Sequence, residues 1–292
     1  MRDFLKKSDL KRNLKKIFLG LVVFLLMLGI LDFTAYSKVL KDRMYFYEAS
    51  KDSKTEYPIL KTTFIPNISA KSAIIMDFES GVILYEKNPN LRLSSASTTK
   101  IMTAFTALDY FKLDDVLTVK EEATEGSVLG LKVGQQMTFE NFLYALLLPS
   151  TNDTALTIAQ NYAGGNYIFV EKMNDNAKKL NLFNTHFEDP AGLLDDLDYT
   201  TAKDLARLSG IALKNETFTK IVSTKEKVIS DINGNEYLVK NLNKLLGVDG
   251  VSGIKTGYTE GAGQILVTAK KEKGHIIIIV VMGSQDRFED TE

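Results

Sequence analysis

Segments with the pattern of β-strands lie at both ends of this chain, and segments with the spacing of α-helices lie between them. Near the start, SAIIMDF and GVILYEK flank Glu79-Ser80-Gly81, which predicts a hairpin. Near the end, VISDI and EYLVKN bracket Asn233-Gly234, and GIKTGY, QILVTAKK and HIIIIVVMG follow. Helices are predicted at residues 97–111, 138–148, 152–163, 166–181 and 201–214. We therefore expect an α/β layered domain whose antiparallel sheet joins both ends of the chain around a helical insertion.

The composition excludes several kinds of catalytic site. The 292 residues include no cysteine, so there is no thiol nucleophile, no disulfide and no thiolate metal site. The two histidines, His186 and His275, do not form the H-E-x-x-H pair of a zinc peptidase. Asp195, Asp196 and Asp198 form an acidic cluster that we interpret as a solvated loop. Lysine and arginine total 36 against 37 acidic residues, which offers no overall positive field for nucleic acid.

The first 36 residues indicate where the rest of the chain works. Residues 1–16 carry a net charge of +5 and read as a basic cytoplasmic tail, and an uncharged apolar run follows. A basic flank before an apolar run orients the amino terminus towards the cytoplasm. We interpret residues 17–36 as a transmembrane signal anchor, and the alternative is a signal peptide cleaved after Ala35-Tyr36-Ser37. In both cases residues 37–66 form a juxtamembrane linker and residues 67–292 form a domain outside the cytoplasm.

Three short motifs could carry chemistry, and each also has an ordinary structural interpretation. Ser97-Thr98-Thr99-Lys100 opens a predicted helix, so its hydroxyl and amine share one face, although the serine could simply cap the helix. Ser150-Thr151-Asn152 lies between two predicted helices and could be a helix stop and restart. Lys255-Thr256-Gly257 lies in a predicted strand and could end in a glycine bulge. Ser8-Asp9-Leu10-Lys11 repeats the first pattern inside the basic tail, so that pattern alone is weak.

The three motifs become informative because they occur together. Their order is S-x-x-K, S-x-N and K-T-G, on a helix start, an interhelical loop and a strand, which is the motif set of the penicillin-recognising serine acyltransferases. The longer segments SAIIMDFESGVILYEKNPN, EGSVLGLKVGQQMTFENFLYALLLPSTNDTA, NTHFEDPAGL and VSGIKTGYTEGAGQILVTA resemble the D-alanyl-D-alanine carboxypeptidase family, the low-molecular-mass penicillin-binding proteins. The resemblance covers residues 68–290. It implies the β-lactamase/transpeptidase-like fold, a five-stranded antiparallel sheet flanked by helices with a helical subdomain.

The resemblance also implies roles for the first two motifs. Ser97 would attack the terminal D-Ala-D-Ala bond of peptidoglycan stem peptides and form an acyl-enzyme that water hydrolyses. Lys100 would be the base, with its pKa lowered from about 10.4 by burial and by a second cation. Ser150 would relay the proton to the leaving D-alanine, and Asn152 would hold Lys100 and the substrate amide.

The third motif and a late arginine are implied to bind substrate. Lys255 and Thr256 would bind the substrate carboxylate, with Arg287 as a helper, and Gly257 would let the substrate approach the strand. The backbone N–H groups of Ser97 and Tyr258 would stabilise the oxyanion. The resemblance implies no metal and no organic cofactor, and it implies β-lactams as covalent inhibitors that acylate the same serine.

Other functions share these residues and remain open at this stage. One is a D,D-endopeptidase that cuts peptidoglycan cross-links, and another is a non-catalytic wall-binding or β-lactam-sensing module. A serine β-lactamase also has the three motifs, but the E-x-x-L-N segment that one major class uses for deacylation is absent from this sequence. The resemblance and the amino-terminal segment together predict a catalytic domain on the outer side of a bacterial cell membrane.

The sequence departs from the family pattern in three places. Ser95 stands where the family usually has proline, and Ala191 stands where it often has histidine. We expect both differences to adjust geometry without abolishing activity. Many members continue beyond the R-F pair, here Arg287-Phe288, into a further helix and a small β domain, whereas this sequence stops at Glu292. We expect either an incomplete sequence or anchoring through the amino-terminal segment alone.

Overall fold

The computed structural model of this chain describes residues 65–194 and 197–292. The expected basic tail, the expected signal anchor 17–36 and nearly all of the expected linker lie outside these residues, as do Asp195 and Asp196. Among the helices of the described residues, none combines the length and the apolar composition of a membrane span.

The strands form one large sheet and three small pairs. The large sheet has five strands in the antiparallel order β2-β1-β11-β10-β9, and the small pairs are β3 with β6, β4 with β5, and β7 with β8. In chain order their bounds are β1 Ser72–Asp77, β2 Ile83–Lys87, β3 Leu93–Ser94, β4 Val116–Thr118, β5 Gln136–Thr138, β6 Tyr199–Thr200, β7 Glu226–Ser230, β8 Glu236–Lys240, β9 Val251–Thr259, β10 Gly263–Glu272 and β11 His275–Ser284.

The helices fill the middle of the chain. Their bounds are α1 Thr99–Leu108, α2 Phe139–Leu147, α3 Asn152–Asn161, α4 Gly165–Lys179, α5 Ala202–Ala212 and α6 Glu216–Val222, and a 3₁₀ turn at Ala96–Thr98 precedes α1. Side-chain caps begin three of them. The hydroxyls of Thr138 and Thr201 and the amide oxygen of Asn215 accept from backbone N–H groups of the first turn of α2, α5 and α6.

The register of the sheet places one motif residue in the main core. Ile74 of β1 lies opposite Val280, Val280 opposite Val267, and Val267 opposite Lys255. Residues that are directly opposite share a face of the sheet, so Lys255 lies in the row formed by three fully buried aliphatic side chains. That row belongs to the core that the helices cover.

The structure confirms the expected fold class and corrects its details. The two terminal groups of strands meet in one antiparallel sheet, and the five helices predicted from periodicity are all present within one to three residues at most ends. The helix predicted at residues 97–111 begins as a 3₁₀ turn and ends at Leu108. The pattern of the sequence did not predict α6 or the small pairs β3–β6 and β4–β5, because elements of two to seven residues are too short to show a period.

Candidate active site

The S-x-x-K motif brings a hydroxyl and an amine together at the start of α1. Ser97 lies in the 3₁₀ turn, and Lys100 lies in the first turn of the helix. The distance between Lys100 Nζ and Ser97 Oγ is 3.0 Å. Ala96, directly before the serine, has φ of 44°, a left-handed conformation that is strained for a residue with a side chain. The turn therefore presents the serine in a conformation that an ordinary helix start does not adopt.

The Lys100 amine has three hydrogen-bond partners, and its neutral form can satisfy all of them. Besides Ser97, the amine contacts Asn152 Oδ1 at 2.7 Å and the Ala191 carbonyl oxygen at 2.8 Å. A carbonyl oxygen accepts hydrogen bonds and never donates them, so both of these contacts take an N–H from the amine. A neutral amine has two N–H bonds and one lone pair. The lone pair then faces the hydroxyl of Ser97, which is the geometry needed to remove its proton.

Burial also favours the neutral form of Lys100. The side chain is fully buried, and this burial lowers the pKa of Lys100 to about 7, although the carboxylates of Asp189 and Asp153 oppose the effect. An amine with that pKa is about half deprotonated at neutral pH, whereas an ordinary lysine is almost entirely protonated. The position therefore suits a general base at physiological pH.

The S-x-N motif lies in the connection between α2 and α3. Ser150 has φ of 67°, and its Oγ is buried with no hydrogen-bond partner among the described residues. Asn152 is the first residue of α3. Its Oδ1 accepts from Lys100, and its Nδ2 donates to the carbonyl oxygen of Glu125 at 2.7 Å. The asparagine therefore links the lysine to the loop on the other side of the site, and the serine hydroxyl is available to a bound molecule.

The K-T-G motif lies on β9, the edge strand of the large sheet beside the serine. Lys255 is buried and donates from Nζ to the carbonyl oxygen of Thr256 at 3.0 Å. Burial lowers the pKa of Lys255 well below its usual range, and the charges of Lys100 and Arg287 add to this effect. An arriving carboxylate would oppose these effects and stabilise the ammonium form of Lys255.

The strand lies directly against the turn that carries the nucleophile. A Cβ placed at Gly257 would stand 3.3 Å from Thr98 Cγ2 and 3.4 Å from the Thr98 backbone nitrogen. Arg287 Nη1 donates to the Gly257 carbonyl oxygen at 2.9 Å, so the late arginine also reaches the strand. Tyr258 exposes 61% of its surface, which leaves its side chain outside the buried network.

These residues line one cleft. Its volume is about 250 Å³. The sequence-predicted residues on its wall are Ser97, Ser150, Asn152, Thr256, Gly257, Tyr258 and Arg287. Lys100 and Lys255 lie buried beneath it. The structure thus brings all nine candidate residues into one region, although 190 positions separate Ser97 from Arg287 in the sequence.

The sequence analysis missed the segment that supplies the third partner of Lys100. Ala191 contributes its carbonyl oxygen, so the replacement of the family's frequent histidine does not remove this contact. Gly192 has φ of 77°, and a Cβ at this position would stand 1.9 Å from the Ala96 carbonyl oxygen. The Asp-Pro-x-Gly pattern of residues 189–192 was the available signal, since it is typical of a tight turn with a glycine at positive φ.

One sequence interpretation in this region was wrong. Asp198 was expected in a solvated acidic loop, but its side chain is fully buried and faces Asp189. The other two members of that cluster, Asp195 and Asp196, lie outside the described residues. Within residues 65–194 and 197–292, no group of three or more His, Asp or Glu side chains is arranged to hold a metal ion.

Comparisons with known proteins agree with this arrangement. Residues 59–286 match the family model described as D-alanyl-D-alanine carboxypeptidase. The D-alanyl-D-alanine carboxypeptidase DacF of Bacillus subtilis is 36% identical over 221 residues, which are 73% of this chain and 57% of that protein. A D-alanyl-D-alanine endopeptidase of Pseudomonas aeruginosa is 32% identical and covers 76% of this chain and 75% of its own length.

A solved structure matches the fold as well. The crystal structure of the Streptomyces K15 DD-transpeptidase superposes with a TM-score of 0.74 at 33% identity, covering 78% of this chain and 95% of that one. The chain described here spans a little over half of the length of the Bacillus relative. The residues matched by the family model, 59–286, contain the large sheet and all three motifs.

Proposed function

The chain belongs to the D-alanyl-D-alanine carboxypeptidase family, and we propose that it is itself a serine-type D-Ala-D-Ala carboxypeptidase. Its substrate is the peptidoglycan stem peptide, from which it removes the terminal D-alanine. The observation that carries this proposal is the buried Lys100 amine 3.0 Å from Ser97 Oγ, with its two N–H groups engaged by carbonyl oxygens.

The first half of the reaction forms an acyl-enzyme. The lone pair of Lys100 takes the hydroxyl proton of Ser97, and Oγ attacks the carbonyl carbon of the penultimate D-alanine. The backbone N–H groups of Ser97 and Tyr258 stabilise the negative charge on the carbonyl oxygen. The C–N bond then breaks, and the proton passes through the hydroxyl of Ser150 to the nitrogen of the departing D-alanine. The unpartnered hydroxyl of Ser150 supports this role.

The second half releases the shortened peptide. A water molecule gives a proton to Lys100 and attacks the ester carbon, and the proton returns to Ser97 Oγ as the ester bond breaks. During acylation the carboxylate of the terminal D-alanine lies at Lys255, Thr256 and Arg287, and it leaves with that residue before water attacks. Asn152 keeps Lys100 in place and binds the substrate amide. β-Lactams enter the same cleft and acylate Ser97.

We also propose the cellular arrangement that the amino-terminal sequence indicates. Residues 1–16 remain in the cytoplasm, residues 17–36 form an uncleaved signal anchor, and residues 37–66 connect this anchor to the catalytic domain 67–292. The enzyme then works on the outer side of a bacterial cell membrane, where peptidoglycan is found. Cell fractionation and the mass of the mature protein test this arrangement, since cleavage after residue 37 would remove the anchor.

The experiment that tests the activity compares the purified full-length chain with its Ser97→Ala variant. Both are incubated with a peptide that ends in D-Ala-D-Ala, and free D-alanine is measured. Release by the parent and none by the variant supports the proposal. Stable penicillin labelling without release would favour a β-lactam-sensing module, and rapid penicillin turnover would favour a β-lactamase.

A D,D-endopeptidase is the second candidate because the Pseudomonas relative carries that name. The same residues would cut the bond between two cross-linked stem peptides. A cross-linked muropeptide dimer given to the same two proteins distinguishes the activities, because an endopeptidase converts it to monomers.

A further inference from the structure

The segment that follows Pro190 is shaped by the carboxylate of Asp189. Its Oδ1 accepts from the backbone N–H groups of Ala191 at 2.6 Å and Gly192 at 2.7 Å. Its Oδ2 accepts from those of Leu193 at 2.8 Å and Leu194 at 3.2 Å. Four successive backbone donors converge on one carboxylate, and this arrangement fixes the backbone of the segment.

Asp198 binds backbone N–H groups at both ends of the same segment. Its Oδ1 accepts from the N–H of Glu188 at 2.8 Å, and its Oδ2 accepts at 3.3 Å from the N–H of Leu194, which Asp189 Oδ2 also accepts, so the two carboxyl groups lie side by side at one donor. Two ionised carboxylates can accept hydrogen bonds but cannot donate one to each other. A proton on one of the two side chains removes the repulsion between them and leaves the pair with a single negative charge.

The environment assigns that proton to Asp198. Burial, the hydrogen bond to Asp189 and the repulsion from Asp189 together raise the pKa of Asp198 to about 8. Asp189 accepts four backbone N–H groups, whereas Asp198 accepts two. The proton is therefore present at neutral pH and is lost a little above it.

The segment held by this pair touches the catalytic lysine. Ala191 supplies the carbonyl oxygen that accepts from Lys100 Nζ, and Pro190 supplies one that accepts from Thr103 Oγ1 of α1 at 2.6 Å. Gly192 packs against the turn of the nucleophile, and Leu193 lines the cleft. The charge on Asp189 also reaches Lys100, where it favours the protonated amine.

We propose that Asp189 and Asp198 share one proton and act together as positioning residues. The pair holds segment 189–194 against Lys100, and the shared proton limits the negative charge next to Lys100 to one. This inference rests on the proposed function, since it assigns the control of the same lysine. When Asp198 loses its proton, two adjacent negative charges repel each other, release the segment and favour the protonated form of Lys100. Catalysis therefore declines on the alkaline side because of Asp198.

The test must separate the effect of the Asp189–Asp198 pair from the effects of the other charged groups near the pair and near Lys100. Lys100 faces Asp189, Asp153 and the coupled cation Lys255. Asp153 accepts from four backbone N–H groups, those of residues 129–131 and of Thr154, none of which belongs to segment 189–194. The backbone N–H of Glu188 donates to Asp198, but the side chain of Glu188 contacts a surface histidine instead. A substitution at Asp198 thus changes the pair and leaves these groups in place.

The test compares the pH profiles of three variants of the full-length protein. Asp198→Asn keeps a donor for Asp189 and cannot ionise, whereas Asp198→Ala removes the donor. Asp231→Asn is the matched control, because Asp231 is also a buried carboxylate that accepts backbone N–H groups, in the β7–β8 turn. For each protein, kcat/KM for D-alanine release and the rate of acylation by a fluorescent penicillin are measured from pH 6 to 9.5.

We expect Asp198→Asn to keep most of the wild-type kcat/KM at pH 7 and to retain it at pH 9, where the wild type declines several-fold. Asp198→Ala is expected to lose roughly tenfold at pH 7, because Asp189 is left without its donor. Asp231→Asn is expected to show the wild-type profile. The proposal is overturned if the Asp198→Asn profile superposes on that of the wild type, or if Asn and Ala at position 198 are equally damaging at pH 7.

An infrared measurement separates this proposal from the proposed function. The carbonyl band of a protonated carboxyl group is expected in the wild type at pH 7, and it should disappear at pH 9.5 and in Asp198→Asn. If the band is present but the wild type neither releases D-alanine nor binds penicillin, the proposed function has failed while the pair stands. If the band is absent, the pair itself is refuted whatever the activity.

Discussion

Replacing Lys100 by methionine tests whether the amine is neutral in the folded protein. Burial lowers the pKa of Lys100 to about 7 in the fold. In the unfolded chain the same amine titrates near 10.4. Between these two values the unfolded state binds more protons than the folded state, so the contribution of Lys100 to the free energy of unfolding increases as the pH rises.

The size of this effect follows from the two pKa values. At pH 7 the folded amine is half protonated and the unfolded one is fully protonated, which costs the fold about 4 kcal/mol relative to a deprotonated chain. At pH 9 the cost is about 2 kcal/mol, because this pH is closer to the pKa of the amine in the unfolded chain. Lys100→Met has no such group. It leaves two carbonyl oxygens without a donor, but that cost of about 1–3 kcal/mol does not depend on pH.

The assay is urea unfolding of the wild type and Lys100→Met at pH 7, 8 and 9. The stability of the wild type relative to the variant is expected to increase by about 2 kcal/mol between pH 7 and 9. Asp198 also titrates in the folded protein, but it is present in both chains. Because the charge of Lys100 lowers the pKa of Lys255, both chains also carry Lys255→Met, which removes this coupling. Lys179→Met, at the exposed carboxyl end of α4, is the matched control and should show a constant difference.

A constant difference between the wild type and Lys100→Met would refute the reasoning. It would mean that the folded protein keeps the amine protonated from pH 7 to 9. A protonated amine has no lone pair for the proton of Ser97, so the general-base role would fail together with the stability prediction.

Three further predictions concern the rest of the site and its support. A side chain at Gly192 would stand 1.9 Å from a backbone carbonyl oxygen, so Gly192→Ala is expected to lose more than about 3 kcal/mol in urea unfolding and to abolish penicillin labelling. Gly81→Ala, at a similar φ of +71° in open space, should lose about 1 kcal/mol and keep its labelling, and equal losses would contradict the clash. Arg287→Gln is expected to raise KM for a D-Ala-D-Ala peptide roughly tenfold with a smaller change in kcat, whereas a peptide with an amidated carboxyl terminus should not distinguish the two proteins. Desolvation raises the pKa of Asp290, but hydrogen bonds led by that from Ser284 outweigh it and hold the pKa below its usual value. Its stabilisation is therefore present above the ordinary carboxyl pKa and lost as the pH falls through the lowered one, so the advantage of the wild type over Asp290→Asn should shrink below about pH 4 in acid unfolding.

The parts of the fold that could be predicted are those with enough residues to show a period. The strands β10 and β11 are ten residues each, and the helices α2 to α5 have nine to fifteen residues. The Asn-Gly turn between β7 and β8 also has a local signature that requires no tertiary information. The two-residue strand β3 and its partner β6 form only because tertiary packing brings them together, so no local sequence pattern predicts them.

The predictable part of the site is likewise the local part. Spacing of three on a helix is enough to place the hydroxyl of Ser97 beside the amine of Lys100. The burial of Lys255 was not predictable from its tripeptide. It depends on the register of four strands, which places Lys255 in the same row of the sheet as Ile74. For Asp198, three acidic residues within four positions favour a solvent-exposed loop on composition alone, and the neighbouring carboxylate, Asp189, lies nine positions earlier in the sequence.

The chemistry of Lys100 depends on contacts that sequence spacing cannot reveal. Its two carbonyl partners, at Asn152 and Ala191, lie 52 and 91 positions away, and one of them is a backbone atom that any residue could supply. The side chain at 191 is therefore free to vary, while the carbonyl must be held in place. That requirement falls on Asp189, which gathers the backbone of the segment, and on Gly192, which alone fits against the turn of the nucleophile. The base is thus prepared by residues that carry no reactive group, and this explains why a replacement at Ala191 is compatible with the proposed reaction whereas one at Gly192 is not.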